Sequence, residues 1–209
     1  MNLYSADFGE KDPFDMFDKV IPLEDKHQMH RDGCLILWGG EDIGTSLYGE
    51  TANKMCWRTK PSQRDKRELE YISYAITHDI PIIGICRGAQ LVCVAAGGKL
   101  AQHIEGHGRS HPVKLLDEDT VIECNSSHHQ MMLPPPSAKV LAVAKATQGL
   151  DGNNQAVVHD DVNEVVYFPS INALGIQPHP EWTNCPQDFI DYCKRKIKEY
   201  LLCSYGQSH

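Results

Sequence analysis

The 209-residue sequence lacks the features that mark membrane, secreted or nucleic-acid-binding proteins. No apolar run approaches the ~20 residues of a membrane span, and residues 1–20 are acidic, without the apolar core of a signal peptide. The eight cysteines form no CxxC pair, which argues against zinc-finger and thioredoxin-like sites. The formal net charge of -8 argues against a phosphate backbone as partner. We therefore expect a cytoplasmic protein with neither a membrane nor a nucleic-acid partner.

Short apolar runs bounded by turn residues alternate with helical patterns, which predicts an α/β fold with a largely parallel central sheet flanked by helices. No repeat or linker divides the chain, so residues 1–209 are expected to form one domain. One helix should place Leu69, Ile72 and Ile76 in the core. The predicted strands are residues 2–5, 33–38, 81–85, 120–124, 139–144, 155–159, 164–168 and 173–177; the predicted helices are residues 65–78, 89–96 and 188–202, with a helical stub at 15–20 and a hairpin turn at 160–163.

Residues 84–88, Gly-Ile-Cys-Arg-Gly, lie between a predicted central strand and a predicted helix. Glycines on both sides permit a sharp strand-to-helix turn of the kind that presents a nucleophile. The following helix directs its positive end at the thiol of Cys86 and favours the thiolate, and amide N–H groups at the turn can receive an oxyanion. From these residues alone, Cys86 is either a nucleophile or a buried core cysteine, the role expected of Cys93.

A thiol nucleophile needs a base, and the base needs an orienting group. Residues 177–182, Gln-Pro-His-Pro-Glu-Trp, offer both, because residues two apart in an extended segment face the same side. The prolines around His179 favour that extended conformation. Glu181 can then accept a hydrogen bond from one ring nitrogen of His179 while the other nitrogen faces Cys86. Taken alone, a histidine between prolines is more often a loop residue.

These two segments together resemble the class I glutamine amidotransferase superfamily, which has a flavodoxin-like architecture with a nucleophile elbow. Gly-Ile-Cys-Arg-Gly-Ala-Gln-Leu is followed by His-Pro-Glu 93 positions after the cysteine. The arginine after the cysteine makes the chain most similar to the gamma-glutamyl hydrolase branch, peptidase family C26, the relatives of gamma-glutamyl-GABA hydrolase. Residues 38–50 resemble that branch's Gly-Gly-x-Asp-Ile…Leu-Tyr-Gly loop, residues 64–68 its Arg-Asp-x-x-Glu helix and residues 125–130 its Asn-Ser-x-His-His-Gln loop.

The resemblance implies a role for each matched residue. Cys86 would attack a gamma-glutamyl amide, His179 would protonate the leaving amine, and Glu181 would hold His179. The N–H groups of Gly40 and Arg87 would form the oxyanion hole, and no metal or other cofactor is implied. For the two adjacent histidines, substrate contact and a structural loop role are both open. The residues that would border the glutamyl group are Gly39, Gln90, Ser127, His128 and His129.

The sequence departs from the family pattern in two places. Its N-terminal region is short, and Pro178 stands where relatives often have tryptophan, which removes an aromatic neighbour and a backbone donor. Both departures bear on the identity of the substrate rather than on the triad.

Three histidines, His103, His107 and His111, are spaced four apart, as metal ligands on one helix would be. Glycines at 106 and 108 and a proline at 112 disfavour a helix there, so a polar loop without metal is predicted.

Three functions fit these features. The first is a stand-alone hydrolase that cleaves a gamma-glutamyl amide of a small molecule through a thioester, and Arg87 and residues 128–130 favour it. The second is a glutaminase subunit that hydrolyses glutamine and passes ammonia to a separate synthase. The third is a non-enzymatic binding module that retains the fold, which an intact triad argues against.

Overall fold

The computed structural model describes residues 1–6 and 11–203. No helix in these residues is both long and apolar enough to cross a bilayer. The helices are α1 (Gln63–Thr77), α2 (Arg87–Ala95) and α3 (Gln187–Lys196), which continues as a π-helical segment, Ile197–Leu202; short 3-10 turns lie at Lys26–Gln28, Thr45–Tyr48 and Pro169–Ile171. The strands are β1 (Asn2–Ser5), β2 (Lys19–Pro22), β3 (Gly33–Leu37), β4 (Ile82–Ile85), β5 (Lys99–Ala101), β6 (His103–Ile104), β7 (His111–Leu115), β8 (Thr120–Cys124), β9 (Met131–Leu133), β10 (Lys139–Leu150), β11 (Ala156–Phe168) and β12 (Ala173–Ile176).

One mixed sheet organises the described residues, in the order β2-β1-β3-β4-β12-β11-β10-β7-β8, with β6 pairing with β10. The five strands from β2 to β12 in this order pair in parallel, and from β12 onward the pairing is antiparallel. The strands β5 and β9 form a separate two-stranded sheet. This arrangement confirms the predicted α/β fold, with the parallel strands β3, β4 and β12 at its centre.

The central strands are buried on both faces, so their sequences are almost continuously apolar. Alternate residues of β4 enter different clusters: Ile83 and Ile85 pack with α3, and Ile82 packs with α1 and α2. The predicted inward face of the C-terminal helix is confirmed, since Phe189, Cys193, Ile197 and Leu201 are fully buried.

The predicted hairpin turn at residues 160–163 is wrong. The strands β10 and β11 form one long antiparallel hairpin, in which Asp161, Val162 and Asn163 pair with Lys145, Ala144 and Val143. The polar residues that suggested a turn alternate with Val162, which is fully buried, as expected for a strand with one exposed face. The turn lies instead after β10, where Asp151 Oδ1 accepts from the N–H groups of Asn153 and Gln155.

The predicted helical stub at residues 15–20 is also wrong. The strand β2 begins at Lys19 and pairs in parallel with β1. The carboxylate of Asp12 accepts hydrogen bonds from the N–H groups of Phe14, Met16 and Phe17, which fixes an irregular turn in place of a helix.

The helix α1 begins two residues before its predicted start, because Ser62 and Asp65 form a capping box. Its predicted inward face is partly wrong: Ile72 is buried, but Ile76 is 38% exposed. The buried face includes instead the two acidic residues Asp65 and Glu68, both fully buried.

Candidate active site

Cys86 lies on the sharp turn between β4 and α2, with φ 51° and ψ -108°. This conformation is unfavourable for a residue with a side chain and persists where the surrounding structure enforces it. Glycine is required on both sides by close packing. A Cβ on Gly84 would lie 2.5 Å from the Gly88 carbonyl oxygen, and a Cβ on Gly88 would collide with the Leu37 carbonyl of β3. The nucleophile elbow predicted from residues 84–88 is therefore present.

His179 and Glu181 follow β12, the neighbour of β4, and lie beside Cys86. His179 Nδ1 is 2.7 Å from Glu181 Oε1, and Cys86 lies close enough to His179 to act on the charge of its imidazole. Gly39, two residues after β3, lies next to both side chains: a Cβ there would lie 2.9 Å from His179 Cε1 and 3.6 Å from Cys86 Cβ. The structure therefore brings together a thiol, an imidazole and a carboxylate from distant parts of the sequence.

The charges around His179 favour its protonated form. Burial disfavours the imidazolium, but the hydrogen bonds to Cys86 and Glu181, together with their charges, outweigh it and raise the pKa of His179 to about 9. A protonated imidazole between a sulfur and a carboxylate is the arrangement that thiolate chemistry requires.

Two residues that the sequence analysis did not assign to the site hold His179 in place. Asn125 Oδ1 accepts from the His179 N–H at 3.1 Å, and Asn125 Nδ2 donates to the His179 carbonyl at 2.7 Å. Trp182 stacks on the imidazole, with ring centroids 3.9 Å apart and an interplanar angle of 10°. Trp182 therefore gives His179 an aromatic neighbour, although position 178 itself supplies none. The available signals were the Asn-Ser-x-His-His-Gln motif and the tryptophan directly after Glu181.

The loop after β3 is fastened by Arg64. Its guanidinium donates to the carbonyls of Trp38 and Gly39 at 3.2 and 3.1 Å, and its Nε donates to Glu68 at 2.7 Å. Gly40 has φ 156°, and a Cβ on it would lie 3.3 Å from Arg87 Cδ. Gly40 and the start of α2 therefore adjoin.

Arg87 has separate roles for its backbone and its side chain. It is the first residue of α2, and N–H groups in the first turn of a helix have no partner within the helix. The guanidinium is 1% exposed and forms ion pairs with Asp65 and Glu68 of α1. The side chain therefore stabilises the packing of α1 against α2, and only the backbone N–H is available to the site.

Two of the residues predicted to border the substrate differ in exposure. Gln90 is 4% exposed, and its Nε2 donates to Gln177 Oε1 at 3.4 Å. Ser127 is exposed. Substrate contact by either residue stays a prediction.

The two adjacent histidines point to different partners. His129 Nε2 is 2.9 Å from Asp42 Oδ1, which belongs to the loop that follows Gly40, and the side chain of His129 is 39% exposed. The side chain of His128 is 1% exposed, and its Nε2 faces Glu164 Oε2 at 3.5 Å. Substrate contact by these histidines also stays a prediction.

The predicted polar loop over the three spaced histidines is wrong for two of them, because His103 lies in β6 and His111 begins β7. His103 contacts His129, whereas the others turn towards Glu164. The ligand atoms of His107, His111 and Glu164 lie within 4.8 Å of one another, close enough to hold a metal ion.

A comparison with protein families matches the family model of peptidase C26 to residues 22–181, most of the chain, including Cys86, His179 and Glu181. The chain belongs to the peptidase C26 family. Among curated relatives, this C26 protein is 31% identical over 158 residues to YvdE of Lactococcus lactis, which is named as glutamine amidotransferase-like. It is also 30% identical over 122 residues to the small chain of carbamoyl phosphate synthase of Helicobacter hepaticus. The matches cover 71% and 58% of this chain but 66% and 29% of the relatives.

Solved structures agree with the fold of this C26 protein. A Thermoplasma acidophilum protein described as part of a GMP synthase superposes with a TM-score of 0.60 at 18% identity, over 95% of this chain and 98% of that one. A glutamine amidotransferase from Thermotoga maritima superposes with a TM-score of 0.56 at 12% identity, over 99% and 90% of the two chains. At these identities the likeness concerns the fold alone.

Proposed function

We propose that this C26 protein is a cysteine-dependent hydrolase that cleaves the gamma-glutamyl amide bond of a small molecule. The observation that carries the proposal is the placement of Cys86 on its elbow beside an imidazole that is in turn held by Glu181. The family resemblance supports gamma-glutamyl amides as the substrate class. All eight cysteines lie among the described residues and are unpaired, which supports a cytoplasmic location.

In the proposed mechanism, the Cys86 thiolate attacks the amide carbonyl and forms a tetrahedral oxyanion. The N–H groups of Gly40 and Arg87 donate hydrogen bonds to that oxygen. His179 gives its proton to the leaving nitrogen, the C–N bond breaks, and a glutamyl thioester and a free amine result. Neutral His179 then takes a proton from water, whose oxygen attacks the thioester and releases glutamate and the thiolate. Glu181 accepts a hydrogen bond from His179 Nδ1, so that His179 Nε2 is the atom that exchanges the proton with the leaving amine and with water.

The surroundings of the loop after β3 support a zwitterionic substrate. A gamma-glutamyl group ends in an ammonium and a carboxylate. Asp42, two residues after Gly40, offers a carboxylate to an ammonium group, and its partner His129 is partly accessible. The guanidinium of Arg87 is already paired with two carboxylates, so it is not assigned a role in reading the substrate carboxylate.

The test is an assay of glutamate release by the purified chain against a panel of gamma-glutamyl amines, gamma-glutamyl peptides and glutamine. We expect turnover of at least one gamma-glutamyl compound without a second protein, and its loss in Cys86→Ala. Cys203→Ser is the matched control, because that cysteine is exposed at the far end of the chain and should leave turnover unchanged. Robust turnover by Cys86→Ala would exclude the thiol mechanism.

The second candidate is a glutaminase subunit that delivers ammonia to a separate synthase. The similarity to carbamoyl phosphate synthase small chains, which by name are parts of a larger enzyme, favours this function. Glutamine would be the substrate, and hydrolysis should be slow until the synthase binds. Copurification of a synthase, with glutamine turnover only in its presence, would favour this candidate. The absence of turnover with every substrate, together with an unreactive Cys86, would indicate a binding module.

A further inference from the structure

A second cluster of titratable side chains surrounds Glu164, a fully buried residue of β11. His111 Nε2 lies 3.1 Å and His107 Nε2 lies 3.6 Å from Glu164 Oε1, and His128 Nε2 lies 3.5 Å from Oε2. The three imidazole side chains are between 1% and 14% exposed. No step of the thioester chemistry proposed for Cys86 uses Glu164, His107 or His111, so the reaction leaves this cluster unexplained.

The three imidazoles are oriented in the same way. Each Nδ1 lies close to a backbone carbonyl oxygen, and a carbonyl only accepts, so Nδ1 is the atom that has the hydrogen. In a neutral ring the lone pair is then on Nε2. Histidines that bind metals commonly show this pattern, with one nitrogen donating to a carbonyl and the other facing the ion. The carbonyl contacts are His107 to Glu105 at 2.9 Å, His111 to Arg109 at 3.1 Å and His128 to Gln130 at 2.9 Å.

Without a cation, several hydrogen-bond acceptors in this cluster face one another with no donor between them. Among the described side chains, His107 Nε2, His128 Nε2 and Glu164 Oε2 are buried and make no hydrogen bond. A lone pair that faces a carboxylate is repelled by it, and a buried polar atom without a partner costs free energy. A divalent cation between His107, His111 and Glu164 would accept a lone pair from each of these three residues.

The spacing suits a small transition-metal ion. With zinc bonded to nitrogen and oxygen at ~2.0–2.1 Å, tetrahedral geometry places neighbouring ligand atoms about 3.3 Å apart. The distances of 3.1 and 3.6 Å from Glu164 Oε1 to the two imidazoles lie on either side of that value. Imidazole ligands favour zinc over magnesium or calcium, which prefer oxygen ligands.

We propose that His107, His111 and Glu164 bind a zinc ion, with His128 beside the second carboxylate oxygen. Three protein ligands leave the fourth tetrahedral position open for a water molecule, although the side chains that would bind the ion are largely buried. His128 N–H and the Ser126 hydroxyl both donate to the His107 carbonyl. The ion would therefore fasten the loop between β8 and β9 to the start of β7 and to β11.

The test uses untagged protein with the substitution Cys86→Ala, since Cys86 and His179 form a second pair that could bind zinc. After dialysis against zinc and then against buffer, elemental analysis is expected to find one zinc per chain. Cobalt substitution should give the visible absorption bands of a tetrahedral ion. Adding Glu164→Gln, which preserves the shape but removes the charge, should weaken zinc binding by at least about 100-fold, the upper end of the loss seen when a residue that only supports a ligand is changed.

His103→Asn is the matched control, because His103 belongs to the same spaced triplet but contacts His129 instead of Glu164. It should leave zinc stoichiometry and cobalt spectra unchanged. If Glu164→Gln does not fold by circular dichroism, His107→Gln replaces it, since residue 107 lies in the loop between β6 and β7. Zinc content well below one per chain in Cys86→Ala, or binding that neither substitution weakens, would overturn the proposal.

Discussion

Replacing Arg87 by methionine tests whether the buried ion pairs between α1 and α2 stabilise the fold. The guanidinium is 1% exposed, and its partners Asp65 and Glu68 are fully buried. Removing one partner of a buried ion pair typically costs about 3–5 kcal/mol, because the remaining charge stays buried without compensation. The carboxylates retain some partners in the variant. Glu68 keeps Arg64 at 2.7 Å, and Asp65 keeps the Ser62 N–H at 2.7 Å.

We therefore expect Arg87→Met to lower the free energy of unfolding by about 3 kcal/mol, at the low end of that range. For a chain of this length the corresponding fall in Tm is about 6–12 °C. Arg87→Lys should lose about 2 kcal/mol, because one ammonium group cannot reproduce the two-pronged geometry of guanidinium. Urea denaturation at pH 7, followed by circular dichroism and tryptophan fluorescence, measures both losses.

Arg31→Met is the matched control for this series. Arg31 pairs with Asp79, but the two side chains are 69% and 76% exposed, so the loss should be under about 1 kcal/mol. An Arg87→Met protein as stable as Arg31→Met would refute the conclusion that the buried pairs stabilise the packing of α1 on α2.

Three further predictions concern the candidate active site. Because the pKa of His179 is raised to about 9, its protonation should stabilise the fold below about pH 6.5, and that stabilisation should be lost as pH rises through 9; NMR titration should show a lower pKa for His179 in Glu181→Gln. Asn125→Ala should lower kcat at least about 10-fold with little change in KM, since Asn125 positions the base rather than the substrate; an unchanged kcat would contradict this. Iodoacetamide at neutral pH should label Cys86 before Cys56, whose pKa is raised to about 11 by burial and by nearby carboxylates; mass spectrometry of the peptides decides the order.

The parts of the fold that the sequence predicted well are the doubly buried ones. The strands β3, β4 and β12 are short apolar runs, and such runs identify central strands because both faces must be apolar. The elbow was also predictable, since Gly84 and Gly88 are required by contacts with adjacent backbone. The pairing of Cys86 with His179 was suggested by the need of a thiol for a base and made specific by the family resemblance, because no local pattern relates residues 93 positions apart.

The wrong predictions of secondary structure and burial concern polar residues whose partners are not apparent from the sequence. The carboxylate of Asp12 accepts hydrogen bonds from three backbone N–H groups and so stabilises an irregular turn where a helix was predicted. Asp160 and Asp161 belong to the strand β11, where a turn was predicted. From the sequence alone, Asp65 and Glu68 would be assigned to the solvent-exposed face of a helix. In the structure they are buried because Arg87 of α2 forms ion pairs with them. Sequence periodicity records hydrophobicity, so it assigns charged residues to the surface and cannot register a partner supplied by another element.

One residue of the strand β11, Glu164, contacts both the segment that leads to His179 and the histidine cluster. The Glu164 carbonyl accepts from the Gln177 N–H at 2.8 Å, two residues before His179, while its side chain meets the three histidines. Because successive side chains of a strand face opposite sides, a shift of one residue in the pairing of β11 with β12 would turn Glu164 away from those histidines. The same shift would alter the support of the segment that bears His179. The register of one strand pair therefore sets the position of both the histidine cluster and the candidate base.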